Sequence, residues 1–399
     1  MHRALSSSEI ANMEFSTRIR VYRDAALRKL RRACGLPTDP YPARPEGTYL
    51  SPSLGLIAAT DTMPRRYALD PSDIEGWQTR ARARLADLTG YVAATAPPTI
   101  LDVRGPVPLP QSLDIEKTTY YLRVRPQSDL PVTVLTSPVA NGPRPVFLYL
   151  AGSTSGVHLG WGEAKVPIDH QRLSIGADIA LQAARRGYLA VCIEQTGYGE
   201  KEERDLLKRS SDRTIDIAVH AALLGQSLLG LKAMDVSATI DWLASPAFPH
   251  LIDPARIFLF GHSSGGTAAQ FAAALDTRIL GTLASGSVRR LTEVVATRGN
   301  GSGELLIPRF LQDFESDDVL ALIAPRPFVG LSGIDDHIFP FDGVTRAIEG
   351  ALPAYRSFDA ADKIEAVAAP FGHRYYAEES WKAWRHIIDP NCGDDPKVR

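Results

Sequence analysis

The residues best suited to chemistry begin with a Gly-His-Ser-Ser-Gly pentapeptide at 261–265, a G-x-S-x-G pattern. A serine hydroxyl becomes a strong nucleophile when an imidazole takes its proton and a carboxylate orients that imidazole. A short apolar run precedes the pentapeptide, and small residues that predict a helix follow it. Strand, sharp turn and helix expose such a serine, and the flanking glycines remove Cβ atoms that would collide. The pattern therefore predicts Ser263 as a nucleophile for acyl transfer.

The candidate acid lies in a glycine-marked turn after a strand predicted at 328–332. Two aspartates stand in this turn, Asp335 and Asp336. Only the second lies four residues before Pro340, a spacing typical of the acid loop that follows this strand. We therefore expect Asp336 to be the acid, and we interpret Asp335 as a turn-capping side chain.

Three histidines follow the predicted nucleophile, namely His337, His373 and His386. His337 is adjacent to the acid in the chain, which makes it hard for the two side chains to reach the geometry of a triad. His386 falls inside a predicted helix. His373 follows a strand predicted at 364–368, at the sheet edge where the other two candidates also lie. This position favours His373 as the general base.

Acyl transfer also needs two NH donors aimed at the oxyanion. The backbone NH of Ser264 is one candidate, and Ser153 in the glycine-rich loop 151–156 is the other, although that loop could also be a plain flexible connection. Further candidates for the pocket are Gly152, His158, Trp161, Glu194, Tyr198 and His262, of which His158, Trp161 and Tyr198 could instead be ordinary packing. For Glu194 the alternatives are a substrate contact, an alternative acid and a structural residue.

The elements that must position these residues alternate between strands and helices from about residue 115 onward. Apolar runs such as 146–150 and 257–260 are continuous, and predicted helices separate them. Continuous apolar strands joined by helices predict an α/β fold with a mostly parallel sheet covered on both faces. A charged, glycine-rich insertion at 286–318 interrupts the alternation, and insertions at such points shape access to an active site.

The first part of the chain has a different pattern. Apolar periodicity predicts one amphipathic helix before residue 36 and a second at 71–90, where Gly90 ends the pattern. A proline-dense stretch that ends at Pro110 then separates these helices from the alternating part. We therefore expect a helical N-terminal extension, residues 1–110, that could serve as a lid or an oligomer contact, and a catalytic domain, residues 111–399.

Composition excludes several classes of protein. Of 399 residues, 44% are apolar and 23% are charged, and 44 basic against 46 acidic side chains give a net charge of -2. This balance argues against disorder and against a nucleic-acid or membrane partner, and it favours an uncharged ester over a strongly anionic substrate. Three dispersed cysteines predict no disulfide framework or metal site, and no apolar run approaches the roughly 20 residues of a membrane span. We expect a cytoplasmic protein without a cofactor, which could form a homo-oligomer.

Together these motifs resemble the α/β-hydrolase superfamily, in particular its acetylxylan-esterase-like and dienelactone-hydrolase-like branch. The segments that carry the resemblance are GYGE at 197–200, LLGLK at 228–232, the pentapeptide at 261–265, LIAPRP at 322–327, Asp336 with Phe339-Pro340, and Gly372-His373. The resemblance covers residues 115–388. It implies an α/β-hydrolase fold, a triad of Ser263, Asp336 and His373, and hydrolysis of a small ester, such as a carbohydrate acetyl ester, through an acyl-enzyme.

Two other functions remain as alternatives. A serine peptidase or amidase of the prolyl-oligopeptidase type would suit Gly265-Gly266, but the preceding sequence contains no repeated short strands of a propeller. A non-catalytic binding protein with a hydrolase fold would usually lack one member of the triad, whereas all three candidates are present. The favoured prediction is a serine carboxylesterase that acts on a small-molecule ester.

Overall fold

The computed structural model describes residues 62–395 with gaps at 138–141, 206–211 and 294–302, together with short stretches between residues 27 and 60. The chain divides into two compact units, residues 1–59 and 60–399. Helix α1 comprises Pro52–Thr60, and all of its residues but the last belong to the first unit. The helix predicted before residue 36 lies mostly outside the described residues, of which 27, 30, 31 and 33 are helical.

Nine strands among the described residues form one mixed sheet in the order β1-β2-β3-β5-β4-β6-β7-β8-β9. Their bounds are β1 (Thr99–Leu109), β2 (Ser112–Arg125), β3 (Ser128–Thr136), β4 (Arg144–Leu150), β5 (Leu189–Ile193), β6 (Ile252–His262), β7 (Ile279–Ser285), β8 (Phe328–Gly333) and β9 (Ile364–Ala369). The pairings among β1, β2, β3 and β5 are antiparallel, and those from β5 through β4 to β9 are parallel. The mostly parallel sheet predicted from the apolar runs is confirmed.

Helices cover both faces of this sheet. They are α2 (Ile74–Thr89), α3 (Pro167–Leu173), α4 (Ile179–Arg185), α5 (Ile215–Leu223), α6 (Leu228–Leu243), α7 (Ser264–Leu275), α8 (Phe310–Asp313), α9 (Ser316–Ala321), α10 (Phe341–Arg356) and α11 (Ala377–Ala383). Successive side chains of a strand point to opposite faces, so Leu148 of β4 packs in one hydrophobic cluster while Phe147 and Tyr149 pack in another. Both faces are therefore buried, which explains the continuous apolar runs.

The predicted boundary near residue 110 is wrong. Residues 99–109 form β1, which pairs with β2 at the edge of the same sheet, and the second compact unit already begins at residue 60. Proline lacks a backbone NH, but an edge strand has an unpaired side on which that loss costs nothing. Pro106 and Pro108 are therefore compatible with β1, and the proline-dense stretch is a strand of the sheet instead of a linker.

Helix α2 confirms the second predicted helix. Trp77, Ala81 and Leu85 are buried in the larger cluster, and Gly90 ends the helix with a φ of 66°. Helices α5 and α6 are separate elements because Gly225 turns the backbone into the left-handed region and the Ser227 side chain caps the second helix.

The described part of the chain contains no single helix that is long and apolar enough to cross a membrane. Helices α5 and α6 pass the test of length and composition only as a pair, with a bend of 89° between them.

The parallel strands bring the candidate residues to one edge of the sheet. Parallel strands point in the same direction, so the loops after their carboxyl ends are neighbours. The loop after β4 carries Gly152 and Ser153, the turn after β6 carries Ser263, the loop after β8 carries Asp336 and the loop after β9 carries His373.

Candidate active site

Ser263 lies in the sharp turn between β6 and α7. Its backbone has φ 52° and ψ -121°, a strained conformation for a residue with a side chain, and its NH donates to the Ser285 carbonyl at 2.8 Å. A Cβ on Gly261 would collide with the Gly265 carbonyl, and one on Gly265 would collide with the Leu150 carbonyl. Both glycines of the pentapeptide are therefore sterically required, as the sequence pattern predicts.

Three side chains form a continuous line of hydrogen bonds. Ser263 Oγ lies 3.0 Å from His373 Nε2, and His373 Nδ1 lies 2.7 Å from Asp336 Oδ2. The structure thus brings together the three residues that the sequence analysis selected. The other downstream histidines, His337 and His386, are exposed at the surface.

The Asp336 carboxylate is buried and held by the backbone. Its Oδ1 accepts hydrogen bonds from the NH groups of Ile338 at 2.8 Å and Phe339 at 2.9 Å. Burial acts to raise the pKa of Asp336, but the hydrogen bond and charge of His373 and the two backbone NH groups outweigh it, so the pKa lies below its usual value. Asp336 is therefore charged at neutral pH, whereas its neighbour Asp335 is exposed.

His373 is enclosed by rings. Its imidazole stacks at 5.5 Å on Phe339 and at 5.3 Å on His262. His262 is itself buried and lies 3.9 Å from the ring of Tyr375. Burial and the neighbouring His373 hold the pKa of His262 well below its usual value, so His262 is a neutral packing partner for the histidine beside it.

The glycine-rich loop after β4 passes directly over the serine. A Cβ on Gly152 would lie 3.1 Å from Ser263 Cβ, closer than ordinary packing allows. Ser153 and Ser264 both line the cavity in front of Ser263. Among the hydrogen bonds between described residues, none uses the backbone NH of either serine. The two NH groups predicted as oxyanion donors are therefore available beside the nucleophile.

A buried polar network holds the side chains of these two serines. The Tyr198 hydroxyl lies 2.9 Å from Ser153 Oγ and also bonds Ser264. Lys232 Nζ lies 3.0 Å from Ser264 Oγ, and the Glu304 carboxylate bonds both Lys232 and Ser264. All of these groups except Ser153 are buried. The lysine–glutamate pair was not predicted, although a lysine in a largely apolar helix and a glutamate in the insertion are its visible signals.

Glu194 fills the space under the same loop. Its carboxylate accepts hydrogen bonds from the NH groups of Val157 at 3.0 Å and Glu200 at 3.3 Å, and a Cβ on Gly199 would collide with it. Burial raises the pKa of Glu194 to about 7, against an ordinary value of 4.5. This geometry matches the structural alternative for Glu194, because the side chain joins two loops and does not face the cavity.

The cavity in front of Ser263 has a volume of about 640 Å³. Its lining includes the predicted residues Gly152 and His262, but Glu194, Trp161, Tyr198 and His158 lie outside it. These four side chains are buried, and Trp161, for example, bonds Glu163 at 2.7 Å, so the structure does not place them among the lining residues. The remaining lining comes from α3, the insertion and the loops after β7, β8 and β9, and it includes Ile168, Gln171, Arg172, Ile175, Arg289, Leu305, Ile338 and Arg374.

The lining residues also bear on metal binding. Across the residues that the structure describes, no group of three or more His, Cys, Asp or Glu side chains is arranged to hold a metal ion.

The buried Glu194 should make the unfolding free energy of the protein depend on pH. Its pKa is higher in the folded than in the unfolded chain, so the folded state holds a proton between pH 4.5 and about 7 that the unfolded state has lost. The resulting stabilisation is present below pH 4.5 and is lost as the pH rises through about 7. We therefore expect Glu194→Gln, which does not titrate, to gain about 2 kcal/mol of unfolding free energy relative to the wild type between pH 5 and 8, measured by urea denaturation.

The matched control is Glu349→Gln. Glu349 is an exposed glutamate of α10, and its replacement removes the same charge at the surface. We expect this variant to follow the wild type at every pH. A constant difference between Glu194→Gln and the wild type across the pH range would contradict the predicted titration.

The chain is similar to known proteins in sequence and in fold. The Abhydrolase family model matches residues 44–353. "Putative hydrolase YtaP" of Bacillus subtilis (strain 168) is 27% identical over 192 residues, which are 47% of this chain and only 60% of that protein, less than two thirds of its length.

Solved structures with a similar fold include two named as esterases. A "putative acetyl xylan esterase" from Bacteroides fragilis NCTC 9343 aligns with a TM-score of 0.64 and 19% identity over 90% of this chain and 95% of its own. A glucuronoyl esterase from Solibacter usitatus aligns with a TM-score of 0.57 and 16% identity over 81% of this chain and 96% of its own. At these identities the likeness establishes the fold. With the family match over residues 44–353, it leads to one conclusion: the chain belongs to the Abhydrolase family and is an α/β-hydrolase.

Proposed function

We propose that this α/β-hydrolase is a serine carboxylesterase that hydrolyses a small ester through an acyl-enzyme. The observation that carries the proposal is the line of hydrogen bonds from Ser263 Oγ through His373 to Asp336, with distances of 3.0 and 2.7 Å. This line activates a serine, because the imidazole accepts the hydroxyl proton and the carboxylate stabilises the resulting imidazolium.

In the first half of the reaction, Ser263 Oγ attacks the carbonyl carbon of the ester, and its proton passes to His373 Nε2. The carbonyl oxygen becomes an oxyanion, which the backbone NH groups of Ser153 and Ser264 bind. When the tetrahedral intermediate collapses, the bond to the alcohol oxygen breaks and His373 gives its proton to the departing alcohol. The acyl group then remains on Ser263.

In the second half, water attacks the acyl carbon while His373 accepts one of its protons. The new tetrahedral intermediate expels Ser263 Oγ, which recovers the proton from His373, and the carboxylic acid leaves. Asp336 is charged throughout because its pKa lies below its usual value, and it holds the Nδ1 proton of His373 in place. The Tyr198, Lys232 and Glu304 network keeps the side chains of both oxyanion residues in one position.

The choice of an ester rests on the related proteins and on the cavity. The two structural neighbours are named as an acetyl xylan esterase and a glucuronoyl esterase. A cavity of about 640 Å³ lies within the range of small-molecule sites and has room for an ester with a sugar-sized alcohol. A carbohydrate ester is therefore the first substrate class to examine.

The test combines covalent labelling with a substrate panel. A fluorophosphonate should form one adduct per chain, and mass spectrometry of the digest should locate it on Ser263. In the panel, 4-nitrophenyl esters from acetate to octanoate, acetylated xylose and an aminoacyl 4-nitroanilide are compared, and we expect the short esters to have the highest kcat/KM. Absence of an adduct on Ser263 would contradict its assignment as the nucleophile. Faster cleavage of the amide than of the esters would identify the protein as an amidase instead of an esterase.

A further inference from the structure

The cavity in front of Ser263 carries an uneven set of charges. Its lining residues include three arginines, Arg172, Arg289 and Arg374, and one acidic residue, Glu304. Arg172 and Glu304 are each paired with a buried side chain of opposite charge. Arg172 lies 3.2 Å from the Asp169 carboxylate, and Glu304 bonds Lys232.

Arg374 stands apart from these compensated pairs. It directly follows His373, and its guanidinium lies over the rings of Phe371 at 5.4 Å and Tyr376 at 5.8 Å. Its Nε donates to the Tyr375 carbonyl at 3.5 Å, a weak contact. Within the described residues no carboxylate oxygen lies within 4.0 Å of its guanidinium. Aromatic faces hold a guanidinium in place without cancelling its charge, so Arg374 brings a positive charge to the cavity.

Arg289 lines the cavity from the segment after β7. Its Nη1 donates to the Ile338 carbonyl at 3.1 Å, and its guanidinium carbon lies 4.3 Å from the centre of the Phe339 ring. This ring in turn stacks on His373 at 5.5 Å. Arg289, Arg374 and the proposed general base His373 therefore line the same cavity.

We propose that the substrate is an ester that carries a carboxylate in addition to its scissile bond, and that Arg374, together with Arg289, binds this carboxylate. The proposal rests on the esterase function proposed above and names its substrate class. A guanidinium donates two parallel N–H bonds to a carboxylate, and partial burial strengthens such a charge-assisted pair. The net charge of -2 favoured an uncharged ester, but the charge of a whole chain does not determine the field inside one cavity.

The substrate test uses matched acetate esters that differ only in the group opposite the ester. These are 4-acetoxybenzoate, the neutral 4-acetoxybenzamide and 4-acetoxybenzenesulfonate. The readout is the ratio of kcat/KM for the carboxylate to kcat/KM for the amide, because comparing this ratio between variants cancels the intrinsic reactivity of each ester. We expect Arg374→Gln to lower the ratio at least tenfold and Arg374→Lys, which keeps the charge, to lower it less. We also expect 0.5 M NaCl to lower the wild-type ratio.

The control variant is Arg385→Gln. Arg385 is exposed and pairs with Asp394 at 2.8 Å outside the cavity, so its loss removes the same charge and should leave the ratio unchanged. An unchanged ratio in Arg374→Gln, or an equal fall in Arg385→Gln, would overturn the proposal. A larger fall in the sulfonate-to-amide ratio than in the carboxylate-to-amide ratio in Arg374→Gln would overturn the assignment of the anion as a carboxylate.

A binding measurement separates this proposal from the esterase function. Ser263→Ala protein is titrated calorimetrically with the uncleaved analogues 4-acetamidobenzoate and 4-acetamidobenzamide. We expect tighter binding of the carboxylate, and loss of that preference when Arg374→Gln is added. If the wild type cleaves no ester but this preference is present, the esterase function fails and the anion site stands. If esters are cleaved and the two analogues bind equally, the anion site fails alone.

Discussion

Replacement of Ser263 by alanine is expected to lower kcat for 4-nitrophenyl acetate by at least about 10⁴-fold, and His373→Ala to lower it by a similar factor. The first change removes the oxygen that attacks the carbonyl. The second removes the imidazole that lies 3.0 Å from this oxygen and accepts its proton. Stopped assays at high enzyme concentration, with the uncatalysed rate subtracted, measure losses of this size.

The double variant makes this prediction specific. Because the serine and the histidine act as one unit, removing the second should cost little once the first is gone. The kcat of the double variant Ser263→Ala with His373→Ala should therefore lie within about threefold of that of the slower single variant. If the two losses instead multiply, the serine and the histidine act independently, and the proposed transfer of a proton between them is wrong.

Stability measurements control for folding in the same series. The backbone of Ser263 has φ 52°, which costs a residue with a Cβ about 1–3 kcal/mol and costs glycine little. Ser263→Ala must adopt the same strained turn and should unfold at the wild-type urea concentration. Ser263→Gly should be inactive but more stable by about 1 kcal/mol. Equal stability of the alanine and glycine variants would contradict strain in the turn.

The parts of the site that sequence patterns could predict depend on local sterics and on chain order. Glycine is required at 261 and 265 because neighbouring carbonyls leave no room for a Cβ. The five-residue sequence pattern alone is enough to predict this requirement. Asp336 and His373 follow strands β8 and β9, whose parallel direction brings their loops to the edge where β6 ends. Order along the chain was therefore enough to select side chains that lie within hydrogen-bond distance of one another.

Other features depend on tertiary packing and left no local pattern. Lys232 and Glu304 are separated by 72 residues, and only their burial beside Ser264 turns them into a pair. Tyr198 and Glu194 were expected at the pocket, but their side chains turn under the glycine-rich loop to satisfy hydrogen bonds there. A buried polar side chain turns toward groups that would otherwise lack a hydrogen-bond partner. The sequence does not show which groups these are, so it does not show whether the side chain faces a cavity or supports its wall.

The prolines of β1 illustrate the same limit for the fold. Proline density usually indicates a linker, and it predicted a boundary near residue 110. The alternative, an edge strand, has the same composition, because an unpaired strand side tolerates a missing NH. Only the pairing of Thr99 with Arg123 and of Leu109 with Ser112 distinguishes the two.

The second large effect is expected for Asp336→Asn, which should lower kcat by about 10⁴-fold while leaving the fold intact. The reason lies in the backbone around the carboxylate. The NH groups of Ile338 and Phe339 both donate to Oδ1, so an asparagine at this position must place its carbonyl oxygen there and its NH₂ group at the position of Oδ2. That position lies 2.7 Å from His373 Nδ1. An NH₂ group there donates to Nδ1, which forces the proton of the neutral imidazole onto Nε2.

With its proton on Nε2, the imidazole faces Ser263 with a donor and cannot accept the hydroxyl proton. The matched control is Asp335→Asn, which makes the same chemical change one residue earlier, on an exposed side chain. We expect its kcat to fall less than threefold. Both variants are assayed with 4-nitrophenyl acetate from pH 6 to 9, alongside urea denaturation. A large loss of kcat in Asp335→Asn with little loss in Asp336→Asn would show that Asp335, and not Asp336, is the catalytic acid. Equal small losses in both would mean that His373 needs no carboxylate partner.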